Sequence, residues 1–424
     1  MKKKIAALLL ALALPLVPSA LADEAGGAAP EPPGGAVQDG AAEQVREDAV
    51  PGPDADPETG YEPDALGQVS FPNVEQRIRE NNLQILALNE QIAALEEIDY
   101  EKQLDKLRRA LNSLAGAQWT MLEMGQGSSY AYEQMNQSYS ALRRQFDAIW
   151  DGDLQEDNAG VIRQLENLED QIALGGETMY MALLSMESQL DGLERQLAAL
   201  DRQLEELRLR HELGQISTLQ LTGAEAGRTS LVSGMETLKM NIHLYKAQLE
   251  TLLGAEQTGE IRLGGVPQVT AAQLSAMDME KDLASAKEAS YELFDAKRTL
   301  KDTQDAYHGI GDYTPTLDAE HGWPAAKYTY NNTVQNYEMK FRTLFAQVKD
   351  HKQVLEASKV TLESKEASFA ASELKYQQGN ISRNTLLTAQ DEVTAAKEAV
   401  LSAENDLFTA YNNYCWAVET GILN

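Results

Sequence analysis

The residues of this chain best suited to metal or nucleophilic chemistry are five histidines, at 211, 243, 308, 321 and 351, and one cysteine, Cys415. No pair of histidines stands at the H-E-x-x-H spacing that places two imidazoles on one helix face. His308, Asp312 and His321 share one stretch and have the donor types for a cation, but they read more simply as polar loop residues. A phosphate loop of the G-x-x-x-x-G-K type, a G-x-S-x-G nucleophile elbow and a paired cysteine are all missing. The chain is therefore read as non-catalytic, with no cofactor and no metal. His211 falls on an apolar row, where packing near a turn is the preferred role, and Cys415 lies between two apolar positions, Tyr414 and Ala417, as a small packed residue. Trp119, Trp150 and Trp323 fall in segments read as irregular, where local packing is preferred over a membrane-interface role.

The elements that would position these residues are written twice. HELGQIS, His211 to Ser217, returns as YQQGNIS, Tyr376 to Ser382, and the glycines are 379 minus 214, or 165 residues apart. After the first glycine, Leu231, Met235, Leu238, Ile242, Tyr245, Leu249 and Leu252 recur at steps of 4 and 3, the seam of a packed helix pair. Adding 165 gives Ala396, Val400, Ala403, Leu407, Ala410, Tyr414 and Ala417, all apolar. Before the glycines, Leu190, Leu197, Leu204 and His211 map onto Leu355, Leu362, Phe369 and Tyr376 in the same way. Each copy is thus a long helix, a glycine turn and a long return helix. Gly214 and Gly379 suit a left-handed helix end. Ser217 and Ser382 suit the following N-caps, and Ile216 and Ile381 precede them as staples.

Composition bounds the rest. The opening MKKKIAALLLALALPLVPSALA has the basic start, short apolar run and Ala-Leu-Ala close of a secretory signal peptide, so residues 1–22 are expected to be removed. With Lys2, Lys3 and Lys4 gone, 33 basic residues face 66 acidic ones, which disfavours nucleic acid as a partner. Residues 23–68 hold seven prolines and eight glycines among Ala, Asp and Glu, a composition expected to form a disordered spacer dispensable for folding. Residues 69–254 form the first helical repeat, 255–273 a connector with a short strand near Glu260 to Leu263, and 274–424 the second repeat. Copy two is shorter ahead of its glycine, 89 residues from Ser290 against 132 from Asn82 in copy one.

The second copy, YQQGNISRNTLLTAQDEVTAAKEAVLSAENDLFTAYNNYCWAVETG, resembles the closing helix of the TolC-type outer-membrane efflux proteins. HELGQISTLQLTGAEAG and the close at Leu252-Leu253-Gly254 are similar to the same family's first repeat, and RENNLQI and KEASYEL to its opening helices. The resemblance covers most of residues 70–424. It implies a mainly α fold of long antiparallel coiled-coil hairpins, a homotrimer enclosing a tunnel in the cell envelope, and a role as the conduit of an efflux system. It also implies that the tips meet a periplasmic adaptor (membrane fusion) protein of an inner-membrane pump, through Leu213, Gly214, Gln215, Ile216, Ser217, Gln378, Gly379, Asn380, Ile381 and Ser382.

The family's β-barrel is where the sequence departs. A membrane strand needs about 9 to 11 residues of alternating apolar and polar side chains. The best candidate, Lys327 to Phe341, loses its alternation at Asn331 and Asn332, and the segment from Gln126 to Ser140 is poor in aliphatics. The barrel is therefore expected to be reduced or absent. The alternative function is a structural coiled-coil envelope protein that kept the hairpins without transport.

Overall fold

In the computed structural model, residues 64–65, 67–308 and 317–423 are described, all within one compact unit, Asp54–Asn424. The heptad seams become four long helices. α5 (Asp153–Glu212) returns through a turn into α6 (Thr218–Leu252), and α10 (Leu317–Gln377) returns into α11 (Arg383–Glu419). α6 packs on α5, α5 on α11, and α11 on α10. The fold is mainly α, two antiparallel hairpins laid side by side in the order α6, α5, α11, α10.

Shorter elements lead into each hairpin. β1 (Gln68–Val69), α1 (Phe71–Asn81) and α2 (Leu83–Glu96) precede α5, while α8 (Met279–Ala289) and α9 (Tyr291–His308) precede α10. The offset from α1 to α8 is 279 minus 71, or 208, which exceeds the hairpin offset of 165 by 43. The surplus lies in copy one, in an added antiparallel hairpin of α3 (Tyr100–Glu123) and α4 (Tyr130–Trp150). This is the 43-residue difference between the 132 and 89 residues counted in sequence.

The connector carries β2 (Arg262–Leu263) and α7 (Ala271–Ala276). The strand expected near Glu260 to Leu263 is present, and β2 pairs in parallel with β1 in the register Gln68 to Arg262. Ordered structure begins before residue 69. The Asp64 carboxylate accepts from the Ser70 backbone N–H and hydroxyl at 3.1 and 2.6 Å and from Asn73 at 3.0 Å, and it pairs with Arg77 at 3.3 Å. The last residues assigned to the spacer are thus part of the fold, because four donors converge on one acid. Any truncation of the spacer has to stop ahead of Asp64.

The expected loss of membrane strands agrees with the structure of the described residues, while the irregular structure expected around the tryptophans needs correcting. Lys327 to Phe341 and Gln126 to Ser140, weighed as strand candidates, lie in α10 and largely in α4. Val334, Tyr337, Phe341, Leu344 and Val348 recur at 3, 4, 3, 4, and this period buries them against α8 and α11 where alternation could not. Trp119, Trp150 and Trp323 sit on helices α3, α4 and α10. Gly, Ser and Asn lower the helix propensity of these stretches, and packing of regular seams overrides it.

Each repeat is closed at its base in the same way. The buried Tyr180 hydroxyl lies 3.0 Å from the Val69 carbonyl and 2.7 Å from that of Gly264, holding the small sheet on α5. The buried Tyr337 hydroxyl lies 3.0 Å from the carbonyls of Ala286 and Gly421. Burial pushes the Tyr337 hydroxyl up to about 12 and raises Tyr180 too, so both remain donors at physiological pH. Gly254 and Gly421, both at positive φ, end the return helices against the breaks after α1 and α8. A Cβ there would lie 2.5 Å from the Asn81 carbonyl oxygen and 2.3 Å from the Ser290 backbone respectively.

The two repeats are joined by α5 and α11. Glu177 is buried, and one carboxylate oxygen accepts from Asn412 at 2.6 Å and from the Trp416 indole at 2.7 Å. Burial raises the Glu177 pKa, the two hydrogen bonds opposing it. A carboxyl with a raised folded-state pKa holds its proton more readily folded than unfolded, so this residue's contribution falls as pH rises above its ordinary value of 4.5. Glu177→Gln, with its amide oxygen facing both donors, keeps the contacts and removes the charge. Its melting temperature at neutral pH is expected to equal or exceed that of the parent, with a flatter pH dependence above about 4.5 in thermal melts. A fall of several degrees at neutral pH would show that the charge is required.

Candidate functional site

The expected partner-facing residues lie at the two turns, which the fold brings to the same end of the structure. Asn384, in the first turn of α11, donates to Glu206, near the end of α5, at 3.3 Å. Both turns are built alike. Gly214 has φ +70° and Gly379 +77°. Gln215 N–H reaches back to the Arg210 carbonyl and Gly214 N–H to His211, at 2.8 and 2.9 Å, and Asn380 and Gly379 do the same to Lys375 and Tyr376 at 2.8 Å each. This is the Schellman closure, which satisfies carbonyls that a helix end leaves unpaired.

The return helices are capped as their sequences imply. Ser217 Oγ accepts from Gln220 N–H at 3.3 Å while the Gln220 side chain accepts from Ser217 N–H at 3.0 Å, a full capping box. Ser382 Oγ accepts from Thr385 N–H at 3.2 Å. Ile216 and Ile381 are half-buried, while Leu213, Gln215, Gln378 and Asn380 are exposed. The glycines are open, with no atom within 4 Å of a built Cβ.

Sequence reasoning missed how apolar the first tip is. Leu213 is 63% exposed and Leu219 81%, and Leu209, one turn earlier on α5, is exposed too. The signal was present as leucines lying off the heptad row, which a helix pair cannot bury. His211 links the two helices of its turn through Nε2 to Thr218 Oγ1 at 3.1 Å, a structural contact. Cys415 is half-buried, and burial pushes its thiol up, away from reactive thiolate behaviour. Among the described residues no group of three or more His, Cys, Asp or Glu side chains is placed to hold a metal ion. Asp312, from the His308, Asp312 and His321 set, lies outside the described residues. No helix among the described residues is long and apolar enough to cross a membrane.

Neither a protein-family model nor a curated protein matches the chain. Its structure is similar to those of solved outer-membrane channels. The outer membrane protein VceC from Vibrio cholerae is 11% identical with a TM-score of 0.45, over 82% of this chain and 96% of that one. The outer-membrane channel OprN is 13% identical with a TM-score of 0.49, over 83% and 90%. The MtrE channel of Neisseria gonorrhoeae is 12% identical with a TM-score of 0.42, over 83% and 89%. With every TM-score below 0.5 the likeness carries no argument, and function is read from the chain's own surfaces.

The glycines divide into two kinds, and stability separates them. Gly214→Ala and Gly379→Ala are expected to cost about 1 kcal/mol each, through positive φ alone. Gly254→Ala and Gly421→Ala add a clash with backbone and are expected to lose clearly more in urea unfolding. Equal losses at all four positions would mean that the tips are packed.

Proposed function

We propose that this chain is a subunit of an envelope conduit, a ring of identical copies around a channel, with the paired tips docking an adaptor protein of an inner-membrane pump. The observation that carries this reading is the state of the two outer helices. α6 and α10 flank the four-helix layer, and each turns a second seam outward. On α10 it runs Ala357, Val360, Ser364, Ala367, Ala371 and Leu374, at steps of 3 and 4, all exposed. On α6, Leu219, Ala226, Ser233 and Met240 recur every seven residues, with Leu244 four further on, also exposed. These are small and apolar side chains at coiled-coil spacing, with no helix among the described residues to receive them.

The two seams differ and face away from a shared middle. The α6 face of one copy against the α10 face of the next is a heterologous contact, and repetition of such a contact closes a ring when the rotation permits. Three copies is the number implied by the family resemblance, and secretion through the signal peptide into the cell envelope follows the same reading. The long helices then run beside the channel, and the tips form one rim of it. The helices extend about 45 Å from the basal core around Leu183 and Leu249 to the tips, at 1.5 Å per residue.

In solution the secreted form, residues 23–424, is expected to be a trimer by light scattering. Ala357→Glu with Ala367→Glu alters only residues exposed in the single chain, so helicity is expected to persist while the trimer falls to monomers. A compact monomer of the parent chain at high concentration would overturn the ring. Full adaptor binding and export by a folded Gly214→Ala, Gly379→Ala variant would reduce the tips to caps and favour the structural alternative.

A further inference from the structure

Among the described residues the α3–α4 hairpin has no counterpart in the second repeat, and its inner surfaces are already used. Leu104, Leu107, Leu111, Leu114, Gln118 and Met121 on α3, and Met135, Tyr139, Leu142, Phe146 and Ile149 on α4, lie at 3 and 4 spacing and are buried or half-buried as the two helices pack together. The exposed positions along the α3 flank from Asn112 to Thr120, Trp119 apart, are small or polar: Asn, Ser, Ala, Gly and Thr. Large exposed apolar side chains gather at the free end. Trp119 is 64% exposed, Leu122 47%, Met124 60% and Tyr130 77%, on the last turn of α3, the start of α4 and the turn between them, where Gly125 has φ +69°.

Trp119 and Tyr130 each make a local polar contact. The Trp119 indole N–H donates to Glu123 at 2.8 Å, and the Tyr130 hydroxyl accepts from Gln134 at 3.0 Å, which leaves the ring surfaces outward. The charge pattern is as specific as the apolar one. From residue 110 to 142 there is no Lys, Arg or His, and Glu123 and Glu133 are the only charged side chains. An anionic surface offers this end no attraction, and the net charge of −30 on the whole chain repels one. Lateral pairing with another helix is also disfavoured, since the apolar surface sits on the blunt end and the flank is polar.

We propose that the end of the α3–α4 hairpin inserts Trp119, Leu122, Met124 and Tyr130 into the interfacial layer of a lipid surface whose headgroups are zwitterionic. Tryptophan and tyrosine suit that layer because an apolar ring and a polar edge meet there, and leucine and methionine reach below it. The hairpin is a lever of about 35 Å, from its base at Tyr100 and Trp150 to the turn, at 1.5 Å per residue. It gives the chain a contact with lipid that needs neither a spanning helix nor a strand.

Vesicle flotation tests this with the secreted form and phosphatidylcholine vesicles, with and without about one third phosphatidylglycerol. The parent is expected to float with phosphatidylcholine, and phosphatidylglycerol is expected to leave binding unchanged or weaken it. Trp119→Ser with Met124→Ser is expected to lower the bound fraction at least about fivefold at unchanged helicity. Trp119→Phe, and Trp150→Ser at the hairpin base, are expected to retain binding. Absence of flotation, flotation only with phosphatidylglycerol, or equal flotation of the double variant would each overturn the proposal. Retention on an insoluble glycan that depends on Trp119, without vesicle binding, would overturn it in favour of a sugar-stacking platform.

Discussion

A heptad seam buries one stripe of a helix and leaves the rest to water, and most of this structure answers that constraint. Helices of 60 and 61 residues, α5 and α10, cannot be held by one partner each without leaving long apolar edges. α5 receives α6 on one side and α11 on the other, while α10 receives α11 and, near its base, α8 and α9. The seams that remain are on α6 and on the outer side of α10. Those two seams are also the least self-sufficient part of the chain, so packing energetics and assembly are the same question here.

Electrostatics sets how the middle pair fits together more than how strongly it holds. Arg195 pairs with Glu398 and Arg202 with Asp391 across α5 and α11, and Arg228 with Asp201 across α5 and α6 at 2.6 Å. These pairs are partly or largely exposed, and such bridges contribute at most about 1 kcal/mol each. A shift by one helical turn would break several at once and bring like charges together in a strongly acidic chain. The buried Glu177, with Asn412 and Trp416, adds a geometric lock deeper in the same contact. Register is thus specified from the base to the tips.

How much of this the sequence disclosed follows from the length of each signal. The offset of 165 was legible because seams repeat over many turns, and caps were legible because Gly and Ser are needed at fixed places beside them. The α3–α4 hairpin was read as irregular because Gly116, Gly125, Gly127 and a run of Ser and Asn dominate its composition. The seam from Leu104 to Met121 spans few turns, yet it decides the structure. The fold's beginning at Asp64 was hidden for another reason: its partners, Ser70, Asn73 and Arg77, define it only once α1 has formed. Glu177 could not be distinguished from the surface acids around it without knowing that Trp416, 239 residues away, would face it.

The two tips share a backbone and differ in side chains, which constrains any account of the repeat. His211 bonds Thr218 across the first turn, and at the matching positions of the second stand Tyr376 and Arg383. Leu213 and Leu219 crown the first tip, and Gln378 and Asn384 occupy the same places in the second. Turn geometry requires only the glycines and the capping serines, so helix capping explains the shared residues and none of the differences. A tip crowned by leucines beside one crowned by Gln378 and Asn384, held together through Asn384 and Glu206, forms a composite surface at this end of the chain. Under the proposed conduit reading, a partner at that surface meets two chemistries on one backbone shape, so it can match the spacing of the turns while telling one repeat from the other.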